Sequence, residues 1–231
     1  MQRGDGDGRR GEAAGELGPL PGGYHRLSRE QIADSQRERL LAAIAHEVAE
    51  HGYRATRLTE VVKYASVSTR DFYAHFSDKE ECFLAAFELV VDHIGKLITE
   101  AAEPEPDWPH EVIAGLRAAL EFFAAEADLA RLCLLESVSA TPTIAIRFRE
   151  AVLACVPALA RGRAELSDAD SLLPEAESSI IGGAVSLATR AIITGKGEQL
   201  ADLLPDLVDF TLSPYLGAER AAELAAETRA S

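Results

Sequence analysis

The 231-residue chain has little of what a β-sheet, a membrane span or a disulfide framework needs. Aromatic residues are only 6% of it, while alanine is abundant, which favours packed helices over a β-sandwich. No apolar run approaches the ~20 residues of a membrane span; the best stretch, Ile180 to Thr194, is cut by Arg190. No apolar signal-peptide core stands at the N-terminus, so the expected location is the cytoplasm, away from membranes. Cys82, Cys133 and Cys155 occur singly in apolar stretches without metal-ligand spacing, and Cys133 and Cys155 read as reduced core thiols. A nucleophile elbow, a phosphate-cradling glycine loop and a metal-ligand cluster are all missing, and His93 and His110 stand isolated. Enzyme chemistry, metals and cofactors are therefore not expected.

An excess of positive charge is missing too, since the formal net charge is −15. Its distribution is uneven. Residues 1–27 carry four basic and four acidic side chains, and residues 28–80 carry eight and nine. Residues 81–231 carry 11 basic against 25 acidic. An acidic body repels phosphate and leaves only the near-neutral segment before it free to approach a nucleic acid.

Residues 1–27 are rich in glycine and charge and read as a disordered tail. Ser28 with Gln31 forms a capping-box signature, and Gly52 is a natural helix stop. Between them Ile32, Leu40, Leu41, Ile44, Val48 and Ala49 give an apolar face at helical spacing. Thr56 is placed to cap a short helix to about Ala65, Ser68 a third from Thr69 to about Phe76, and Ser77 with Glu80 a long fourth. After the breaker Glu103–Pro106, helices are expected near 108–127, 129–138, 142–166, 174–195 and 198–215, with a kink at Pro157. Residues 218–231 are expected to fray. The fold class is thus all-α: a head over 28–80, joined by a long helix to a body over 81–217.

Residues 57–76 fit a helix-turn-helix. Ala65, Ser66 and Ser68 are small enough for the tight turn, and Val67 fills the space between the helices. Phe72 and Phe76, four apart, share one face and should pack against Val61, Val62 and Leu41. Thr69, Arg70, Tyr73 and Ala74 then face outward, available to a DNA major groove. By patterning alone, an ordinary antiparallel helix pair fits equally well.

The stretch from about Arg39 to Phe87 resembles the N-terminal domain of the TetR (AcrR-like) family. The resemblance rests on Leu41…Ala43, Gly52-Tyr53, Ala55-Thr56, Val61, Ala65-Ser66-Val67-Ser68, Phe72-Tyr73-Ala74-His75-Phe76 and Asp78-Lys79-Glu80. It implies a regulator that binds a palindromic operator in double-stranded DNA as a homodimer and is released by a small-molecule effector. One departure is Ser66, where the family usually has glycine, a mild change only if the backbone there has negative φ. The other is Asp71, which either accepts from cytosine N4 or caps the recognition helix.

Chemistry and resemblance together assign Arg70 to guanine O6 and N7, and Thr69 to a thymine methyl or a phosphate. Tyr73, His75 and Lys79 are expected on phosphates, as are Thr56 and Arg57 at the start of the second helix; Ser68 and Asp71, at the start of the third, complete the expected DNA-binding set. In the body, the effector pocket implied by the resemblance has Phe87, Val91, Ile94, Phe122, Phe123, Cys133, Glu136 and Phe148 as candidate lining. Glu136, in an apolar helix, needs a partner: Arg190, Arg147, Arg149 or a ligand. The last two helices resemble the family's dimerisation pair, with Ile181, Val185, Leu187, Ile192, Leu203, Leu207 and Phe210 as interface candidates. The alternative is a ligand-independent regulator whose body serves only dimerisation or partner binding.

Overall fold

The computed structural model describes residues 29–167 and 172–230, and every regular element among them is helical. The tail expected at 1–27 and the cap expected at Ser28 lie outside the described residues. Helix α1 spans Arg29–His51 and turns Leu40, Ile44 and Val48, all fully buried, onto the core. It stops at Gly52, whose φ of +79° a side chain would resist. Helices α2 (Leu58–Tyr64) and α3 (Thr69–His75) complete the head, and α4 (Lys79–Ala102) leaves it for the body.

Two caps differ from expectation. Thr56 does not cap α2: its buried hydroxyl donates to the carbonyls of Gly52 and Glu47, sealing the turn, and Arg57 occupies the cap position. Asp78, not Ser77, caps α4, accepting from the Glu81 amide at 2.9 Å. The Glu81 carboxylate in turn holds the Ser77 amide, so the capping groups sit one residue later than Ser77 and Glu80.

After α4 come α5 (Trp108–Ala125), capped by Asp107, and α6 (Ala127–Ala130), which runs into a π-helical segment, Arg131–Glu136. Helices α7 (Pro142–Leu153) and α8 (Val156–Ala160) come next, then a 3-10 turn over Arg161–Glu165. The single helix expected over 142–166 is thus broken. Pro157 cannot donate to the carbonyl four residues earlier and clashes with it, so the chain restarts at Val156 with proline in the first turn. The break leaves Cys155 exposed, whereas Cys82 and Cys133 are buried.

Helix α9 (Ala176–Ile193), a 3-10 stretch (Gly197–Leu203) and α10 (Leu204–Leu216) close the body. The expected frayed end is instead helix α11 (Ala218–Ala230), because Ala221, Leu224 and Ala225 recur at helical spacing and bury against the core. One continuous apolar core runs from Leu40 in the head to Leu224.

A polar anchor lies inside the body. Arg163 grips Glu177 with two bonds, 2.7 and 2.9 Å, and reaches the Leu172 and Leu173 carbonyls. The Tyr215 hydroxyl donates to the same carboxylate at 3.3 Å, and its ring stands edge-on to Trp108. Trp108 in turn lies against Gly162, where a Cβ would run into the indole.

Candidate nucleic-acid interface

The turn between α2 and α3 is a helix stop with a helix start directly behind it. Ser66 donates its amide to the Lys63 carbonyl at 3.1 Å and Val67 donates to that of Val62 at 3.0 Å. This is the paired bonding of a Schellman motif, which demands a left-handed residue at its centre. Ser66 has φ +54°. The substitution is therefore not mild; it places a side chain where glycine is favoured. Ser66→Gly should raise stability by about 1 kcal/mol, read as a higher urea midpoint at unchanged m-value. An unchanged or lowered midpoint would show that the Ser66 backbone is not strained.

Helix α3 begins at Ser68, whose hydroxyl oxygen accepts from the Asp71 amide at 3.1 Å. That hydroxyl donates its proton to the Asp71 carboxylate at 2.7 Å. Asp71 is thus turned back on the cap. Phe72 is fully buried and Phe76 nearly so, in the core with Leu41, Val61 and Val62. With that face anchored, Thr69, Arg70, Tyr73 and Ala74 are exposed on the other. Tyr73 is exposed, its ring edge-on to that of Phe72 at 5.5 Å. His75 is half-buried beside Gln36, 3.5 Å away. Arg57 is exposed at the start of α2, its amide held by Glu60.

Two of the expected phosphate contacts point inward. Thr56 is buried, with its hydroxyl spent on the turn. Lys79 directs its ammonium to the carbonyls of Tyr53 at 2.6 Å and Thr56 at 2.9 Å, and lies over the Tyr53 ring at 4.2 Å. Two carbonyls and a π-face satisfy its three donors, and burial lowers its pKa. Burial, together with Glu80 and Asp78, pushes the Tyr53 phenol up to about 12. Lys79 therefore positions the turn after α1.

The residues that sequence reasoning missed lie where the head meets the body. Glu136 pairs with none of the three arginines proposed for it. Arg147 is engaged by Glu88 and Glu150, and Arg149 and Arg190 are exposed elsewhere. The Glu136 carboxylate instead accepts the Tyr53 amide at 2.8 Å, and a Cβ at Gly52 would stand 3.4 Å from it. Arg131 donates to the Ala49 carbonyl at the end of α1. Asp128 meets His46 at 2.9 Å, and Thr141 donates to Glu80. The only forewarning was the Gly52-Tyr53 pair within the family-like stretch; the partners are some 80 residues away and carry no local signal.

Among the body candidates, Phe87, Phe123 and Cys133 are buried in the core, and Val91, Ile94, Phe122 and Phe148 are half-buried around it. Burial raises the Cys133 thiol pKa strongly. Phe122 packs against His93 at 5.3 Å. A groove of about 350 Å³ along α4 includes Val91, and one of about 410 Å³ between α5, α10 and α11 includes none of the candidates. Of the interface candidates, Ile192 and Leu207 bury within one protomer, because the helical turn points them at the core. Phe210 is exposed at 42%, and so, at 64%, is Ile193, which was not among the candidates. Ile181, Val185, Leu187 and Leu203 are half-buried at the margin of the core.

Residues 40–86 match the model of bacterial regulatory proteins, tetR family. The transcriptional activator FasR of Mycolicibacterium smegmatis is 28% identical over 139 residues, which are 60% of this chain. The match spans 64% of that relative's length, just under two thirds. The fatty acid degradation regulator FadR of Bacillus halodurans superposes with a TM-score of 0.66 at 19% identity, over 76% of this chain and 96% of that one. FadR of Bacillus subtilis, solved with stearoyl-CoA, gives 0.64 at 15% identity, over 78% and 98%. These structures share the fold along nearly their whole length, and the head carries the family's helix-turn-helix. Residues 40–86 are thus a head of the kind found in the tetR family of bacterial regulatory proteins.

Proposed function

We propose that the protein is a cytoplasmic, DNA-binding transcriptional repressor that reads a palindromic operator as a homodimer. The observation that carries this is the outward face of α3. Thr69, Arg70 and Tyr73 project from a helix fixed by the Ser68 cap on one side and by Phe72 and Phe76 on the other. In this reading Arg70 reads guanine and Thr69 a methyl or phosphate, while Tyr73, His75 and Arg57 hold backbone phosphates. Ser68 and Asp71 set the start of the helix, and Thr56 and Lys79 hold the turn that places α2.

One short recognition helix covers too few base pairs for useful affinity, so a second copy is required. Its partner surface is assigned to the outer face of α9 and α10, with Phe210 and Ile193 as apolar anchors and Ile181, Val185, Leu187 and Leu203 at the edge. A small-molecule effector held in the body, near Val91, Ile94, Phe122 and Phe148, would lower operator affinity by favouring a head spacing that does not match successive major grooves. The shared fold of a stearoyl-CoA-bound regulator makes that thioester the first probe to titrate.

Selection of bound DNA from a random pool should return an inverted repeat. Arg70→Ala should lose about 1–3 kcal/mol of discrimination at one base pair per half-site, with the rest of the site still preferred. Unchanged discrimination across operator variants would remove Arg70 from base readout. A reporter that rises instead of falling on binding would make the protein an activator, as the FasR relative is named.

A further inference from the structure

The π-helical segment Arg131–Glu136 is held from both sides by groups that belong to different parts of the molecule. Upstream, Asp128 and Arg131 fasten it to α1 through His46 and the Ala49 carbonyl. Downstream, Glu136 takes the Tyr53 amide, and the Tyr53 carbonyl is taken by Lys79 at the start of α4. The Tyr53 backbone is thereby gripped twice, once from the body and once from the helix that carries the head.

The π register itself has identifiable supports. The wide-turn bond from the Ser137 amide to the Leu132 carbonyl is 3.1 Å, and the fully buried Ser137 hydroxyl donates to the same carbonyl at 2.7 Å. From α9, the Thr189 hydroxyl lies 3.0 Å from the Leu134 carbonyl and 2.8 Å from that of Val185, sharing its proton between them. A π-helix carries about one residue more per turn than an α-helix and stays only where side chains or tertiary contacts take up its displaced carbonyls. Loss of that extra residue rotates the downstream chain by about 100° relative to the upstream helix. Glu136, at the end of the segment, would be carried off Tyr53, while Asp128 and Arg131, ahead of it, would stay in place.

We propose that this segment is a register switch that couples α9 to the DNA-reading head. In the π register Glu136 clamps the turn after α1; in the α register that clamp opens, while Asp128 and Arg131 keep their holds on α1 and Lys79 its hold on the turn. Thr189 is the positioning residue on the α9 side and Glu136 on the head side. The consequence for operator affinity rests on the DNA-binding reading above; the coupling within the free protein does not.

The test is amide hydrogen exchange of the full-length protein without DNA, resolved at Tyr53 and at the α1 core, for Thr189→Val, Ser137→Ala and Glu136→Ala. Glu136→Ala should speed exchange at Tyr53 about tenfold or more, since a charged acceptor is removed. Thr189→Val and Ser137→Ala should each speed it at least about threefold, with Ile44 and Val48 unchanged. Two results would overturn the switch. One is wild-type exchange at Tyr53 in Thr189→Val and Ser137→Ala. The other is equal acceleration of Ile44 and Val48, which would report global loosening. Operator affinities of the same variants are measured separately; absence of any DNA binding would sink the functional reading while leaving the exchange result intact.

Discussion

Glu177→Ala is expected to cost about 3 kcal/mol of stability, read as a lower urea midpoint or a lower melting temperature. The carboxylate is 4% exposed and accepts a bidentate pair from Nε and Nη2 of Arg163 and a third bond from Tyr215. Removing one member of a buried pair leaves the other desolvated without its compensating charge, a loss of about 3–5 kcal/mol. The lower end applies here because Arg163 is a quarter exposed and keeps the Leu172 and Leu173 carbonyls. A loss under about 1 kcal/mol would mean that the segment before α9 is not anchored by this pair.

The same group sets a pH dependence. The Arg163 bonds, opposed by desolvation, hold the Glu177 carboxyl below its ordinary range. In the unfolded chain it titrates near ~4.3, so below that value the unfolded state takes up its proton first. The contribution of the pair is whole above that pH and drains away as pH falls through the lower folded value. Glu177→Gln should therefore be less stable than wild type near neutrality, with the gap narrowing on acidification below roughly pH 4.5. A gap that stays constant into acid would assign the loss to packing.

Phe72→Ala should cost more, about 3–5 kcal/mol, because the ring is fully buried and its removal opens a cavity that short helices cannot close. For a chain of this size each kcal/mol moves the melting temperature by about 2–4 °C, so a fall of roughly 10 °C is expected. The functional effect should exceed the thermal one. Phe72 holds α3 from beneath while Arg70 and Tyr73 face out, so operator affinity should drop even where the protein remains folded. Phe72→Leu should restore most of both. A variant that keeps wild-type affinity despite lower stability would show that the cap at Ser68 alone orients the helix.

The head was legible because its determinants are local. Ser68 and Asp71 stand three apart, Phe72 and Phe76 four apart, and the bond between Val62 and Val67 spans five residues. Spacing of this kind follows from helical geometry and is written into the order of residues. The body was legible only as a run of helices. The end of the chain was misjudged because Ala221, Leu224 and Ala225 form a short apolar stripe of low hydrophobicity, and whether such a stripe folds depends on having α10 to lie against. Ile192 was placed on the dimer face for the opposite reason: α9 is apolar on more than one side, and a shift of one residue separates the core from the exterior.

By itself, then, the sequence determined the all-helical class, the α2–α3 turn, the exposed face with Thr69, Arg70 and Tyr73, and the confinement of acidity to the body. The turn and the exposed face depend on residues within about one or two helical turns of one another. Only the tertiary structure decided that Lys79 and Thr56 turn inward, that Ser66 is left-handed, and that Glu136 closes on Tyr53. A charged side chain settles where its desolvation is best offset, and the carbonyls and amides that offset it here come from helix ends brought together by folding. Composition and period do not encode that meeting; the packing of α1 against the segment after α6 does.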